Sequence, residues 1–173
     1  MATRNTQIII SEPDPRWGTE ADTDLHIVLV HPEIPGNTGN IARLCAATGA
    51  TLHLVEPLGF VLQDRYLRRA GLDYWPQMTL CVHPSWEAVA SIFPEARWHL
   101  FTTRTERSYA DVTYTPGAAL IFGRESRGLD EAIIDAHPER CVTIPMREEA
   151  RSLNLSNACA IGVYEARRQV GWG

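Results

Sequence analysis

The densest group of side chains able to hold a small organic molecule lies in residues 145–157, PMREEARSLNLSN. This stretch offers hydroxyls, amides and backbone donors but contains no cysteine or histidine. Such donors suit a neutral or zwitterionic organic ligand better than a metal ion. Residues 158–163 are small and almost wholly apolar, so we expect a buried helix behind a polar ligand loop. Ser152 and Asn154 could alternatively serve only as caps of that helix.

A second candidate site is the glycine-rich turn and helix of residues 32–49, PEIPGNTGNIARLCAATG. Arg43 lies about two turns from the backbone N–H groups near Asn37 and Asn40. These donors, the positive end of the helix dipole and a guanidinium predict a site for an anion such as phosphate. Cap and turn residues with purely structural roles would explain everything except Arg43. The positions spaced to face the core are Ile41, Leu44, Cys45 and Thr48.

A third polar loop follows the apolar run of residues 119–122 and is bounded by Gly123 and Gly128. Glycine at these positions permits backbone conformations and a close approach that a side chain would block. Glu125 lies between two arginines of this loop. Taken alone, it is interpreted either as a salt-bridged loop acid or as a catalytic group.

Short apolar runs alternate with helical patterns along the chain. This alternation predicts an α/β fold, with a mainly parallel sheet flanked by helices. Since ligands bind beyond the carboxyl ends of parallel strands, the three polar loops are expected to form one composite site. The predicted strands cover residues 25–30, 51–55, 98–103, 118–122 and 141–144, and the predicted helices cover residues 38–48, 64–70, 85–92, 129–136 and 155–169.

The basic residues restrict the chemistry that the chain can perform. All 16 are arginine, which excludes a P-loop lysine, a Schiff-base lysine and a lysine general base. The formal net charge of −5 argues mildly against a nucleic-acid partner. However, phosphate binding depends on the local field, and the arginines occur in clusters. These clusters are Arg65/Arg68/Arg69, Arg104/Arg107, Arg124/Arg127, Arg147/Arg151 and Arg167/Arg168.

The remaining composition predicts a single globular domain without a metal. Four scattered cysteines and six dispersed histidines show no metal-ligand spacing, so we expect reduced core thiols of a cytoplasmic protein. No run of about 18 apolar residues is present, which excludes a membrane span. We expect residues 25–173 to form one domain. The proline- and acid-rich residues 1–24 are predicted to be a flexible extension.

In this order, the three loops resemble the motifs of the SPOUT superfamily of knotted methyltransferases. The first motif is Pro35-x-Asn37-x-Gly39-Asn40-Ile41-x-Arg43, and the second is Phe122-Gly123-x-Glu125-x-x-Gly128-Leu129. The third is Ile144-Pro145-Met146 with Ser152-Leu153-Asn154-Leu155-Ser156. Over residues 25–171 the chain looks most like the short, single-domain tRNA 2′-O-methyltransferases that act on the wobble nucleotide. The segment LRRAGLDYW, residues 67–75, also matches that subgroup.

The resemblance implies transfer of a methyl group from S-adenosyl-L-methionine to a ribose 2′-hydroxyl of tRNA, with S-adenosyl-L-homocysteine as product and no metal. It also implies a C-terminal trefoil knot and a homodimer in which the partner subunit supplies the motif containing Arg43. A homodimer would also gather arginine clusters from two chains on one face, which a negatively charged monomer needs in order to hold tRNA. By motif matching, the cofactor pocket would involve Phe101, Thr102, Gly123, Ile144, Met146, Ser152 and Leu153.

In enzymes that this chain resembles, the arginine at the position of Arg43 is a proposed general base. Because a neutral arginine is costly near pH 7, we expect Arg43 instead to clamp the phosphate of the target nucleotide and align the 2′-oxygen, with that phosphate as the candidate proton acceptor. Glu125 and Asn154 would orient the ribose and Arg43, and Ser152 would hold the loop or the cofactor. The residues expected to contact the RNA are Asn37, Asn40, Arg43, Arg68 and Arg69.

Two other functions remain open on the sequence. The same chemistry could act on ribosomal RNA or on another tRNA position, although such relatives often carry an added RNA-binding domain. A non-catalytic RNA-binding protein could keep the same fold. A Rossmann-type dehydrogenase is excluded, because the glycine fingerprint is missing after the first strand.

Overall fold

A computed structural model describes residues 9–62 and 78–172 of the chain. The described residues form six strands: β1 His26–Val30, β2 Thr51–Val55, β3 Leu80–His83, β4 Trp98–Phe101, β5 Ala119–Phe122 and β6 Cys141–Val142. The α-helices are α1 Pro35–Thr48, α2 Trp86–Ala90, α3 Glu131–Ala136 and α4 Leu155–Val170. Short 3-10 turns cover Glu95–Arg97, Tyr109–Asp111 and Pro138–Arg140.

The strands form one parallel sheet in the order β3-β2-β1-β5-β4-β6. Because both faces are covered, its central strands are continuous apolar runs rather than alternating ones. Ile27 and Leu29 point into the core shared with α1 and α4, whereas Val28 and Val30 point into the core beneath α2 and α3. The parallel sheet flanked by helices that the sequence predicts is therefore confirmed.

Strand and helix positions agree closely with the sequence prediction. Helix α1 ends where expected, since Gly49 adopts a left-handed conformation (φ 75°) and its N–H donates to the carbonyl of Cys45. Ile41, Cys45 and Thr48 are buried on its inner face, with Leu44 partly buried. Several predicted elements are one or two residues too long at an end, whereas α1 begins three residues before its predicted start. The predicted helix over residues 64–70 lies outside the described residues.

Strand β3 was not predicted from the sequence. Its four residues carry no alternation or long apolar run, and they become a strand by pairing with β2, where Leu80 lies opposite Leu52. Ile10 makes a further parallel bridge to Leu80, and the N–H of Ser11 donates to the Leu80 carbonyl.

The N-terminal segment that the structure describes, residues 9–24, packs against the sheet and is not the loose extension predicted from its composition. Trp17 is 6% exposed and stacks edge-on against His26 and His53, with ring centroids 5.6 and 4.9 Å apart. Asp22 is buried and accepts hydrogen bonds from the N–H of Gly18 and from His26. The buried side chains of Trp17 and Asp22 therefore hold this segment against the sheet, although most of its residues are polar.

Candidate functional site

A cavity of about 570 Å³ lies beyond the carboxyl ends of β4, β5 and β6. Its volume is in the range of small-molecule sites. All seven residues predicted to bind a cofactor line it: Phe101, Thr102, Gly123, Ile144, Met146, Ser152 and Leu153. Glu125, Asn154 and Asn37 also line it. The composite site expected from three separate loops is therefore a single cavity, and the roles of these residues remain predictions.

The loop after β5 requires glycine at both of its ends. A Cβ on Gly123 would lie 1.9 Å from the carbonyl carbon of Gly128, a distance that no side chain can occupy. Gly128 has a left-handed backbone (φ 72°), and its N–H donates to the carbonyl of Arg124. The two glycines thus let the loop fold back on itself at the cavity wall.

Glu125 connects this loop to the start of α1. Its Oε2 accepts hydrogen bonds from the backbone N–H groups of Glu33 at 2.8 Å and Ile34 at 3.1 Å. Helix α1 has no side-chain cap of its own and no acid in its first turn. Glu125 therefore supplies the negative charge that a helix N-terminus favours, from a residue 91 positions away.

The interpretation of Glu125 as a salt-bridged acid is wrong for the described residues. Arg124, the arginine beside it, pairs with Asp130 at 2.8 Å instead. The second carboxylate oxygen, Oε1, is buried without a hydrogen-bond partner in the described part of the chain. The carboxylate is thus aimed at a backbone turn, which sequence neighbours alone do not reveal.

Glu33 is a residue of this site that the sequence analysis did not identify. Its Oε1 accepts hydrogen bonds from the N–H of Ser126 at 3.1 Å and from the Ser126 hydroxyl at 2.6 Å. These bonds, followed by the charges of Arg124 and Arg127, hold the pKa of Glu33 below its usual range. An acid between two loop prolines carries no local signal for this contact, since its partner lies 93 residues away.

Asn37 and Asn154 join the first and third motifs directly. The side-chain N–H of Asn154 donates to the Asn37 side-chain oxygen at 3.0 Å. Asn154 also caps α4, because its own oxygen accepts from the N–H groups of Ser156 and Asn157. The capping alternative is therefore correct for Asn154, which at the same time faces the cavity, whereas Ser152 lines the cavity without capping α4.

Arg43 and Asn40 lie outside the cavity of their own chain. Both are exposed on α1, and Arg43 points away from the buried stripe as expected. Arg68 and Arg69 belong to the stretch that the structure does not describe. Of the described residues predicted to contact RNA, Asn37 therefore lies at the cavity, and Asn40 and Arg43 do not.

Aromatic packing forms the inner wall of the site. Phe101 and Phe122 stack with ring centroids 4.4 Å apart and an interplanar angle of 21°. A Cβ on Gly162 of α4 would lie 2.9 Å from the Phe101 ring, so this glycine lets α4 approach the wall closely. Gly162 of α4 thus leaves space for the ring of Phe101, which lines the cavity.

Arginines surround the mouth of the cavity. Arg104 pairs with Glu131 at 3.3 Å, and Arg124 pairs with Asp130. Arg127 and Arg151 also line the cavity and are exposed, and neither forms an ion pair with another described residue. This local positive charge suits a phosphate backbone despite the negative charge of the whole chain.

A chain of buried histidines crosses the sheet away from this site. His26 Nε2 lies 2.9 Å from Asp22 Oδ2, His26 Nδ1 lies 2.9 Å from His53 Nε2, and His53 Nδ1 lies 2.9 Å from His83 Nε2. Burial is the largest cause that lowers the pKa of His53 and of His83. Both rings are therefore neutral near pH 7, and the direction of each hydrogen bond in the chain depends on which ring nitrogen carries the proton.

His53, His83 and Cys81 are close enough together to suggest a metal site. However, the facing ring nitrogens of His53 and His83 lie 2.9 Å apart, which is the distance of a hydrogen bond. Two Zn–N bonds would hold them about 3.3 Å apart in tetrahedral geometry. Burial also raises the pKa of the Cys81 thiol to about 11, which disfavours the thiolate that a metal needs. Hydrogen bonding explains this cluster without a metal.

Known proteins resemble this chain over nearly its whole length. A tRNA (cytidine(34)-2′-O)-methyltransferase of Burkholderia pseudomallei (strain 1106a) is 53% identical over 150 residues, covering 85% of this chain and 96% of the relative. A structure described as showing 2-OH methylation of C/U34 on tRNA matches with a TM-score of 0.79 and 45% identity, covering 85% of this chain and 96% of the other.

A more distant structure is that of the methyltransferase AviRb from Streptomyces viridochromogenes in complex with the cofactor AdoMet. It matches with a TM-score of 0.76 and 26% identity, covering 92% of this chain and 62% of the other. The model of the SpoU rRNA Methylase family matches residues 24–164, a range that includes all three motifs. The chain therefore belongs to the SpoU rRNA Methylase family.

Proposed function

We propose that this protein transfers a methyl group from S-adenosyl-L-methionine to the ribose 2′-hydroxyl of the wobble nucleotide, cytidine or uridine 34, of tRNA. The observation that carries the proposal is the cavity in which all seven predicted cofactor residues meet. The relative that is 53% identical and the structure with a TM-score of 0.79 are both described as acting on that nucleotide.

The cavity fits the methyl donor and the product S-adenosyl-L-homocysteine. Apolar walls from Phe101, Ile144 and Met146 suit an adenine ring, and the polar groups of Ser152 and Thr102 suit its ribose and amino-acid ends. When bound, the sulfonium supplies an electrophilic methyl group, so the chain needs no metal for this reaction.

The residues of this chain must align the ribose 2′-hydroxyl, which is a poor nucleophile. Oriented binding can supply about 7–11 kcal/mol of a barrier in ideal geometry. Arg43 is assigned to the phosphate of the target nucleotide, which positions the 2′-oxygen. Asn154 reaches the cavity from the start of α4, and Asn37 holds it there. Glu125 acts indirectly, by fixing the turn from which α1 begins.

The active unit is assigned as a homodimer in which the partner subunit supplies Arg43. This assignment is supported by the position of Arg43, which is exposed and outside the cavity of its own chain. Exposed apolar side chains occur on or next to α1 and α4: Ile34 before α1 is 49% exposed, Tyr164 of α4 is 50% exposed, and Trp172 just after α4 is 57% exposed. Such side chains are typical of a surface that another subunit covers.

Two further features are assigned by family likeness. A trefoil knot in the C-terminal part is supported by the order of the strands, in which β6 lies beyond β4 before α4 returns to pack on α1. Action in the cytoplasm is supported by four buried free cysteines. Among the described residues, no helix is long and apolar enough to cross a membrane. A crystal structure with bound donor would test the knot and the dimer together.

The test of the function is mass spectrometry of tRNA nucleosides from cells with and without this protein. We expect 2′-O-methylated cytidine or uridine at position 34 to disappear when the protein is absent and to return with the wild-type gene. The family description names rRNA, so rRNA from the same cells is analysed in parallel. A loss confined to rRNA would overturn the tRNA assignment.

The role of Arg43 can be tested with a lysine variant. Arg43→Lys keeps the charge but loses the planar fork that holds a phosphate with two bonds. We expect turnover to fall by about tenfold or more while the affinity for the donor is unchanged. Near-normal turnover would contradict a role specific to the guanidinium group.

A further inference from the structure

We propose that Glu33 is a positioning residue, which together with Glu125 locks the cofactor loop to the start of α1. The two carboxylates bind in opposite directions. Glu125 of the loop binds the backbone of residues 33 and 34, and Glu33 binds the backbone and hydroxyl of Ser126. This reciprocal clasp is defined by Glu33, Ser126 and Glu125. The inference rests on the proposed methyl transfer, since it concerns the alignment of that reaction.

The clasp joins the two segments that must be aligned. One is the loop of residues 123–128, which forms a wall of the cavity. The other is α1, which places Asn37 at the cavity and carries Arg43. Four hydrogen bonds span the gap, and each has an ionised carboxylate as acceptor, the stronger class of hydrogen bond.

Local structure alone does not hold the start of α1 in place. Its cap residue is Ile34, whose side chain makes no capping bond, and Pro35 occupies the first turn. The chain before it turns sharply at His31, which has a positive φ of 58°. In addition to its packing in the core through Ile41 and Cys45, distant polar contacts hold the start of the helix: the clasp and the Asn37–Asn154 bond.

Glu33 does not contact the cavity in which the methyl donor would bind. It is not among the residues that line the cavity, although both Ser126 and Glu125 are. Its loss should therefore leave the donor bound while α1 is misplaced. A displacement of about 1 Å can cost a hundredfold in rate even when it originates away from the reacting atoms.

The experiment compares Glu33→Gln, Ser126→Ala and the double variant with the wild-type enzyme. Donor affinity is measured by calorimetry, and the rate of methyl transfer by single turnover on tRNA. We expect each single variant to slow transfer by about ten- to a hundredfold, with donor affinity within about twofold of wild type. The double variant should be no slower than the worse single variant, because both changes break one clasp.

Two controls separate this role from general damage. Ser126→Thr retains the hydroxyl and should restore transfer to within about threefold of wild type. Glu20→Gln removes an exposed acid far from the loop and should have no effect. Thermal unfolding of every variant shows whether the fold is retained.

The proposal is overturned if Glu33→Gln transfers at the wild-type rate, if donor affinity falls in proportion to rate, or if the two single effects multiply in the double variant. A wild-type enzyme that binds the donor but methylates no tRNA would instead refute the proposed function. The two failures are therefore distinguishable.

Discussion

Acidification from pH 7.5 to 5.5 should destabilise the fold through its buried histidines. His53 is completely buried, and burial, followed by electrostatic interaction with His26 and His83, holds its pKa well below the ordinary value. In the unfolded chain a histidine takes up a proton as the pH falls through about 6.5. The unfolded state therefore binds more protons below that pH. This stabilisation is complete above about 6.5 and is lost as the pH falls toward the folded-state pKa.

The size of the effect follows from the same linkage. A histidine that stays neutral when folded loses about 1.4 kcal/mol of stabilisation between pH 7.5 and 5.5. Burial lowers the pKa of His99 to about 4, and burial also lowers that of His83, so both add to the loss. His53 and His99 together should remove about 3 kcal/mol, a large part of the 5–15 kcal/mol typical of a domain, and His83 adds a further loss in the same direction. The Asp22 carboxylate, whose pKa is lowered, contributes only at more acidic pH.

The assay is urea unfolding followed by tryptophan fluorescence at pH 7.5, 6.5 and 5.5, with salt and protein concentration fixed. The matched variant is His53→Gln, whose amide can donate one hydrogen bond and accept another, as a neutral imidazole does, but cannot titrate. We expect its loss of stability with pH to be smaller than that of the wild type by about 1.4 kcal/mol. A wild-type stability that does not change over this range, or a variant with the full dependence, would refute the reasoning.

Three further outcomes are expected. Trp17→Ala should lower the free energy of unfolding by about 3–5 kcal/mol in the same urea assay, because a large buried side chain leaves a cavity beside the histidines. Gly123→Ala should abolish donor binding in calorimetry, since its Cβ would meet the Gly128 backbone, whereas Gly36→Ala, with open space around it, should bind normally. Asn154→Ala should lower the free energy of unfolding by about 1 kcal/mol through loss of the α4 cap, and it should also slow methyl transfer.

The amino-acid sequence by itself determined the class of fold and most of the cavity. The apolar run of residues 25–30 is consistent with a strand buried on both faces, and Gly49 ends α1 where expected. The seven cofactor residues were named from the resemblance of the three motifs to the SPOUT superfamily, and they meet in one cavity because the strand ends that carry them lie side by side. The apolar runs and the glycine that ends α1 are local signals, which can be read without knowledge of distant contacts.

Only the tertiary structure decided which distant groups meet. Strand β3 forms because it pairs with β2. Residues 9–24 are held against the sheet by the buried side chains of Trp17 and Asp22, despite their polar composition. Glu125 binds a backbone 91–92 residues away rather than the arginines beside it, and Glu33 binds Ser126 at a separation of 93. Hydrogen-bond partners depend on where strand ends and loops meet in space. The spacing of residues along the chain does not specify these meeting points.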